Sequence, residues 1–302
     1  MSTVESSLAM AQKSVPNATK VPKAVSPARA ALHQFMKSPS GVAGAVLLLV
    51  LLAGTALGPW LYPVDPLDIV GLPFTSPAAD ALLGTDYLGR DVLAGLIYGG
   101  RATLTVGAVA ALITILIGVT VGALAGFFGG WVDALLVKIA EFFQVLPPLL
   151  FAMVLVTLFS PRLSTITLAI GAVSWTAAAR LTRAEFMRLR DLDFIKASRA
   201  AGAGNLHLIL RVVLPNALPP IIVSATLAIG TAILFEGGLS FLGLGDPNTM
   251  SWGLMIGQNR NYVLDAWWAV TFPGAAIFLA VLAVSLVGDG VNDAVNPRLR
   301  RR

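Results

Sequence analysis

Residues 180–215 read RLTRAEFMRLRDLDFIKASRAAGAGNLHLILRVVLP, a charged stretch set between long apolar runs. Seven of the chain's 21 Lys and Arg lie in it: Arg180, Arg183, Arg188, Arg190, Lys196, Arg199 and Arg211. The acids Glu185, Asp191 and Asp193 are mixed among them. Ala197, Ala200, Ala201 and Gly202 form a small-residue cluster. Gly202 and Gly204 predict the end of one helix. Asn205 is a candidate cap for the next. Leu214-Pro215 then opens another apolar run, with the proline tolerated in a first helical turn. The expected shape is helix, sharp turn, helix, held at the membrane between two spans.

Working outward, composition fixes the class. Of 302 residues, 56% are hydrophobic and 12% charged, with a mean hydropathy of +0.80. Soluble domains carry roughly a quarter charged residues, so this is a polytopic membrane protein. The net charge of +5 does not point to nucleic acid, because the charges sort by loop. There is no cysteine, which excludes a disulfide framework and cysteine-based metal or redox sites. His33 and His207 are far apart and read as solvated polar residues.

The small-residue stretch resembles the EAA loop of ABC-importer permeases. Aligned on Gly202, Lys196, Ala197 and Ser198 occupy the Glu-Ala-Ala positions, and Val212-Val213-Leu214-Pro215 stands for Ile-x-Leu-Pro. Lys196 departs from the family's acid. The resemblance implies a coupling helix that docks in a cleft of an ATPase subunit, with Phe194, Lys196, Ala197, Ser198, Ala200, Ala201, Gly202, Leu214 and Pro215 as the coupling positions. Small residues permit close approach of a partner and flanking charges orient it. The plainer alternative is an inside loop whose arginines only obey the positive-inside rule.

The remaining chain reads in order. Residues 1 to about 27 are polar and small, without the apolar core of a signal peptide, and predict a disordered inside tail. Residues 28–38 form a candidate amphipathic surface helix, so that 1–40 make a cytoplasmic tail and 41–302 the transmembrane permease domain. The first span is expected over about Val42–Tyr62, ending in interfacial Trp60 and Tyr62. Residues 63–100 form a first outer segment containing Gly84, Thr85, Asp86, Gly89, Arg90 and Asp91, followed by Gly99-Gly100-Arg101. Glycine, aspartate and threonine there suit tight turns and caps. The segment resembles the LGTDxxGRD and GxRxSL signatures of peptide and nickel permeases.

A second span over about Ala102–Phe127 carries Gly118, Gly122 and Gly126 at a spacing that suits close packing within a bundle. A short turn at Gly129-Gly130 leads to a third span interrupted by Pro147-Pro148, a bend beside a transport path or a packing kink. The fourth span is expected over about Leu163–Ala179 and the fifth over Asn216–Phe235. Residues 236–267 make a second outer segment with Ser240, Phe241, Leu242, Gly243, Leu244, Gly245, Trp252 and Gly253. They resemble the LSFLGLG and WGxML signatures of the same permeases. The last span, about Ala269–Val287, ends in a stretch similar to the family's GDGLRDALDP. With about six spans and both termini inside, 17 of the 21 Lys and Arg fall inside, as the positive-inside rule requires.

Several chemistries are missing. There is no Gly-Lys dipeptide and so no P-loop, and no Gly-x-Ser-x-Gly elbow. Ionisable residues deep in spans are scarce, which disfavours an ion-driven carrier. A membrane-bound enzyme has no supporting constellation, and an anchor or receptor needs no large basic inside loop. The resemblance therefore implies an all-α integral membrane chain of the type I ABC importer permease fold, MetI-like, in a bacterial or archaeal cytoplasmic membrane. It implies a non-catalytic subunit that binds no cofactor, with ATP and Mg on partner chains. Its expected partners are a homologous second permease subunit, two ATP-binding cassette subunits, an extracytoplasmic solute-binding protein and the lipid bilayer. The solute expected is a di- or oligopeptide, with nickel or glutathione as alternatives.

Overall fold

The computed structural model describes residues 27–79 and 81–295. The expected disordered tail, Asp80 and the terminal arginines lie outside them. Every long element is helical: α1 (Pro27–Phe35), α2 (Pro39–Leu61), α3 (Val92–Phe128), α4 (Gly130–Val145), α5 (Pro148–Phe159), α6 (Leu163–Arg190), α7 (Asp193–Ala200), α8 (Asn205–Leu244), α9 (Trp252–Asn259) and α10 (Trp268–Val295). Helices α2, α3, α8 and α10 are long and apolar enough to cross a membrane. The α4–α5 pair, bent by 84°, is together apolar enough for a fifth crossing if the two count as one broken span. Helix α6, 28 residues long, is more polar and packs along α3.

The α3–α6 seam explains the small residues. A Cβ at Gly122 would stand 2.4 Å from the Ala179 carbonyl oxygen, and one at Gly126 would stand 2.6 Å from that of Arg183. The glycine row therefore packs within the bundle, where bare backbones allow near contact. Arg183 then closes one end of the seam with two bonds to Asp133 of α4, at 2.5 and 2.6 Å. At the start of the chain, Ser38 caps α2. Gly41 and Gly290 bring α2 and α10 together beside Phe35 of α1.

Several boundaries differ from the sequence expectation. Helix α3 begins at Val92, ten residues before Ala102, because Asp91 caps it by accepting the Ala94 N–H at 2.8 Å. The end of the expected 63–100 outer segment is therefore helical. Helix α6 continues to Arg190, so the charged stretch holds two breaks instead of one. Asn205 is not the cap: Gly204 occupies that position in extended conformation, and no side chain bonds there. Pro215 does not sit in a first turn of the apolar helix. Helix α8 is already under way and passes through a π-helical segment, Leu208–Val213, immediately before it. The wider turn takes up the bond that the proline cannot donate. At its other end α8 runs on through Glu236 to a second π segment, Ser240–Leu244. The expected outer segment 236–267 therefore starts as helix, up to the kink at Gly243.

Candidate coupling surface and outer cluster

Helix α7 is a two-turn element with one buried side chain. Ile195 is 1% exposed and joins Phe127, Phe186, Leu189 and Leu208 in a core cluster. Around it Phe194, Lys196, Ala197, Arg199 and Ala200 are exposed. Ala201 and Gly202 continue that open surface. Gly202 has φ +89 and no heavy atom within 4 Å of where a Cβ would stand. Its backbone, and not crowding, requires glycine. Arg199 lies over the Phe127 ring at 5.7 Å, and Ser198 Oγ donates to the Phe194 carbonyl at 2.8 Å. Leu214 is half-buried and Pro215 exposed on α8, below the turn. The sequence-predicted coupling residues thus gather at one end of the bundle. Leu214 and Pro215 lie on a different element from the rest.

The two motif stretches expected outside meet each other. Asp86 accepts the N–H groups of Leu88 and Arg90, both at 2.8 Å, and fixes the tight loop between Gly84 (φ +77) and Gly89 (φ +81). Burial holds its carboxyl above the usual carboxylate range, against those backbone donors. Thr85 is 2% exposed and donates to the Leu72 carbonyl at 2.7 Å. Asp91 also accepts the Tyr62 hydroxyl at 2.7 Å, and this pushes the Tyr62 pKa up to about 12.

Across the gap, Trp268 Nε1 donates to the Thr85 carbonyl, and Tyr87 stacks on Tyr262 with centroids 5.5 Å apart. Trp252 Nε1 donates to Leu96 O at 2.8 Å, and Asn259 Oδ1 accepts the Tyr87 N–H. Phe241, Leu242 and Leu244 sit on the π segment with Ser240, and Gly243 reverses the chain with φ +88. Gly245 and Gly253 allow close approach to Ser240 and Gly237. The chemistry is that of a packed, hydrogen-bonded closure. Among the described residues no cluster of three His, Asp or Glu is arranged to hold a metal.

Two features escaped the sequence reading. Glu236 is fully buried in α8, although it follows an apolar run and reads as the first residue of a loop. A cavity of about 200 Å³ lies midway along α3, α6 and α8, lined by Thr114, Ser174, Ser224 and Thr231 among alanines and Leu227. Four hydroxyls spread over three separate apolar runs carry no joint signal in sequence. Pro147 and Pro148 lie at the α4–α5 break, outside the residues that line this cavity.

This architecture is that of a membrane permease component, and comparison with known proteins agrees. Residues 118–301 match the family described as binding-protein-dependent transport system inner membrane component, and the chain belongs to it. Residues 26–81 match the N-terminal TM domain of oligopeptide transport permease C.

Among its relatives is the di/tripeptide transport system permease protein DppC of Pseudomonas aeruginosa, 39% identical over 91% of this chain and 93% of that one. The dipeptide transport system permease protein DppC of Haemophilus influenzae is 36% identical over 88% of this chain and 93% of the other. In structure, the inward-facing MetNI methionine ABC transporter superposes with a TM-score of 0.53 at 21% identity, covering 67% of this chain and 96% of that chain. The fold is therefore the MetI-like one, and the chain is a multi-pass permease of the inner membrane with a transport role.

Proposed function

We propose that this chain is a permease subunit of a peptide importer, with di- or tripeptides as its solute. The observation that carries the coupling half of this reading is α7, a short helix with Ile195 as its one buried side chain and most of its other residues open to a partner. A surface of small residues beside Phe194 suits insertion into a cleft of a separate ATPase subunit. The solute class rests on the relatives, named as peptide permeases at 36–39% identity over most of their length.

In this reading two ATPase subunits bind ATP and Mg on the inside, and a solute-binding protein delivers peptide outside. A homologous permease completes the path, and both termini lie in the cytoplasm. Closure of the ATPases moves α7, α8 follows, and the spans open alternately to the two sides. Phe194, Lys196, Ala197, Ser198, Ala200, Ala201 and Gly202 make the docking surface. Leu214 and Pro215 carry its motion into the span. The hydroxyl-lined cavity supplies uncharged hydrogen-bonding groups for a passing peptide. The test is uptake of labelled di- and tripeptides, and of nickel, in a strain lacking this chain and in the same strain complemented. Peptide uptake restored by the chain is expected; restoration of nickel uptake alone would overturn the peptide assignment.

A further inference from the structure

Glu236 stands in no described ion pair and is 0% exposed, yet it sits inside a membrane bundle. Such a carboxylate persists only where its oxygens are fully used. Its Oε1 accepts the Ser240 hydroxyl at 2.8 Å, and its Oε2 accepts the Thr103 hydroxyl at 3.2 Å. Ser251, the cap of α9, lies near the same carboxyl group.

The same hydroxyls face the start of α9. Thr103 Oγ1 accepts the Trp252 N–H at 3.2 Å, and Ser251 Oγ accepts the Leu254 N–H at 3.1 Å. The carboxylate is thus linked, through one layer of hydroxyls, to the positive end of a helix. Glycines bring the backbones close around it. A Cβ at Gly253 would stand 2.6 Å from Gly237 Cα, and one at Gly257 would stand 2.8 Å from Ser240 O. On the α3 side, a Cβ at Gly99 would meet Ser251 at 3.2 Å.

We propose that Glu236 is a positioning residue for transport: through Thr103 and Ser240 it clamps α9 onto the outer ends of α3 and α8, so that the three act as one outer gate. The clamp acts through acceptor oxygens. Filling the same volume with an apolar side chain leaves the hydroxyls, and the α9 N–H groups behind them, without their anchor. The proposal rests on the orientation given above, in which α9 lies outside.

The test uses the chain in its assembled transporter. Met255, 4% exposed beneath Gly95, is replaced by cysteine as a reporter of α9 lifting. Labelling by an impermeant thiol reagent is compared in unaltered, Glu236→Leu, Glu236→Gln and Thr103→Val chains, in intact and in permeabilised cells. Glu236→Leu should speed labelling of Met255→Cys by about tenfold or more, and Glu236→Gln, which keeps one acceptor, should fall between. In the same order, peptide uptake should fall while ATP hydrolysis by the complex persists.

An Ala152→Cys reporter, buried at 0% in a separate core cluster, should stay protected throughout. If Glu236→Leu exposes that reporter as well, the chain has unfolded and Thr103→Val decides, with selective exposure of Met255→Cys expected. Asn248→Cys, on the exposed loop before α9, tests orientation by itself. Should it label only after permeabilisation, the orientation is wrong, and the clamp is judged on the permeabilised samples by the same ranking. Protection of Met255→Cys in both Glu236→Leu and Thr103→Val, or identical labelling of Glu236→Leu and Glu236→Gln, would overturn the proposal.

Discussion

Arg101 of α3 donates from Nε to the carbonyl oxygen of Thr55 at 2.8 Å. That carbonyl is the one left open in α2 by Pro59, four residues on, which has no N–H to give. A second guanidinium nitrogen reaches the Ala56 carbonyl at 3.0 Å. One arginine thus repairs the backbone of its neighbour and fixes α2 to α3.

Arg101→Leu should therefore destabilise the chain by about 1–3 kcal/mol, since it strands a carbonyl. In a Pro59→Ala background the new N–H can satisfy Thr55, and the same change should cost distinctly less. Thermal denaturation of the purified transporter in detergent, run as a double-mutant cycle, measures this. Equal losses in both backgrounds would show that Arg101 acts by something other than backbone repair.

At the coupling end, Gly202→Val strains a backbone with positive φ by about 1–2 kcal/mol. Ala201→Trp places bulk on the exposed docking surface. Both chains should insert normally yet lose peptide uptake, and their complexes should shed the ATPase subunits or lose stimulation by loaded binding protein. Gly202→Asn should be milder, because asparagine tolerates that conformation. If the loop only retains positive charge, Arg188→Gln will matter more than either change, and normal uptake in Gly202→Val and Ala201→Trp would sink the assignment.

Orientation can be read with single cysteines on a naturally cysteine-free chain. Asn248→Cys should react with an impermeant reagent in intact cells, and Ala200→Cys only after permeabilisation. Thr85→Cys should resist both, although it belongs to the outer segment, because Thr85 is buried beneath Leu72 and Thr75 with both hydroxyl bonds made. Reaction of Ala200→Cys in intact cells would invert the topology.

Tyr62 provides a titration. Its folded pKa lies above the ordinary value of about 10, so the stabilisation from its bond to Asp91 is complete below that pH. It is lost as pH rises through about 12. The difference absorbance between unaltered and Tyr62→Phe chains should show phenolate forming near pH 12; formation near 10 would mean the Asp91 bond is absent.

Much of this was legible because membranes impose length and apolarity on spans, and because Gly202 marks a backbone that few other residues tolerate. The α3–α6 seam was visible in the spacing of Gly118, Gly122 and Gly126. Other features depend on partners distant in sequence. Nothing near Glu236 shows that Thr103 will reach it, so an acid ending an apolar run reads as a loop. Thr85 reads as exposed until Leu72 and Trp268 close over it. The start of α3 could have been found: Asp91 before Val92 is an ordinary cap signal, masked by the glycines that follow.

Helix α8 begins three residues after Gly202 and carries Glu236 31 residues beyond Asn205, roughly 46 Å along one axis at about 1.5 Å per residue. The end next to α7 and the end that carries Glu236 therefore belong to one continuous helix, whose turn sets their relative phase. Inserting one residue between them would turn the far end by about 100°. The π segments at Leu208–Val213 and Ser240–Leu244 are the places where that phase departs from a regular helix. Each end of the rod carries its own point of adjustment, and the membrane-buried length between them is left to transmit.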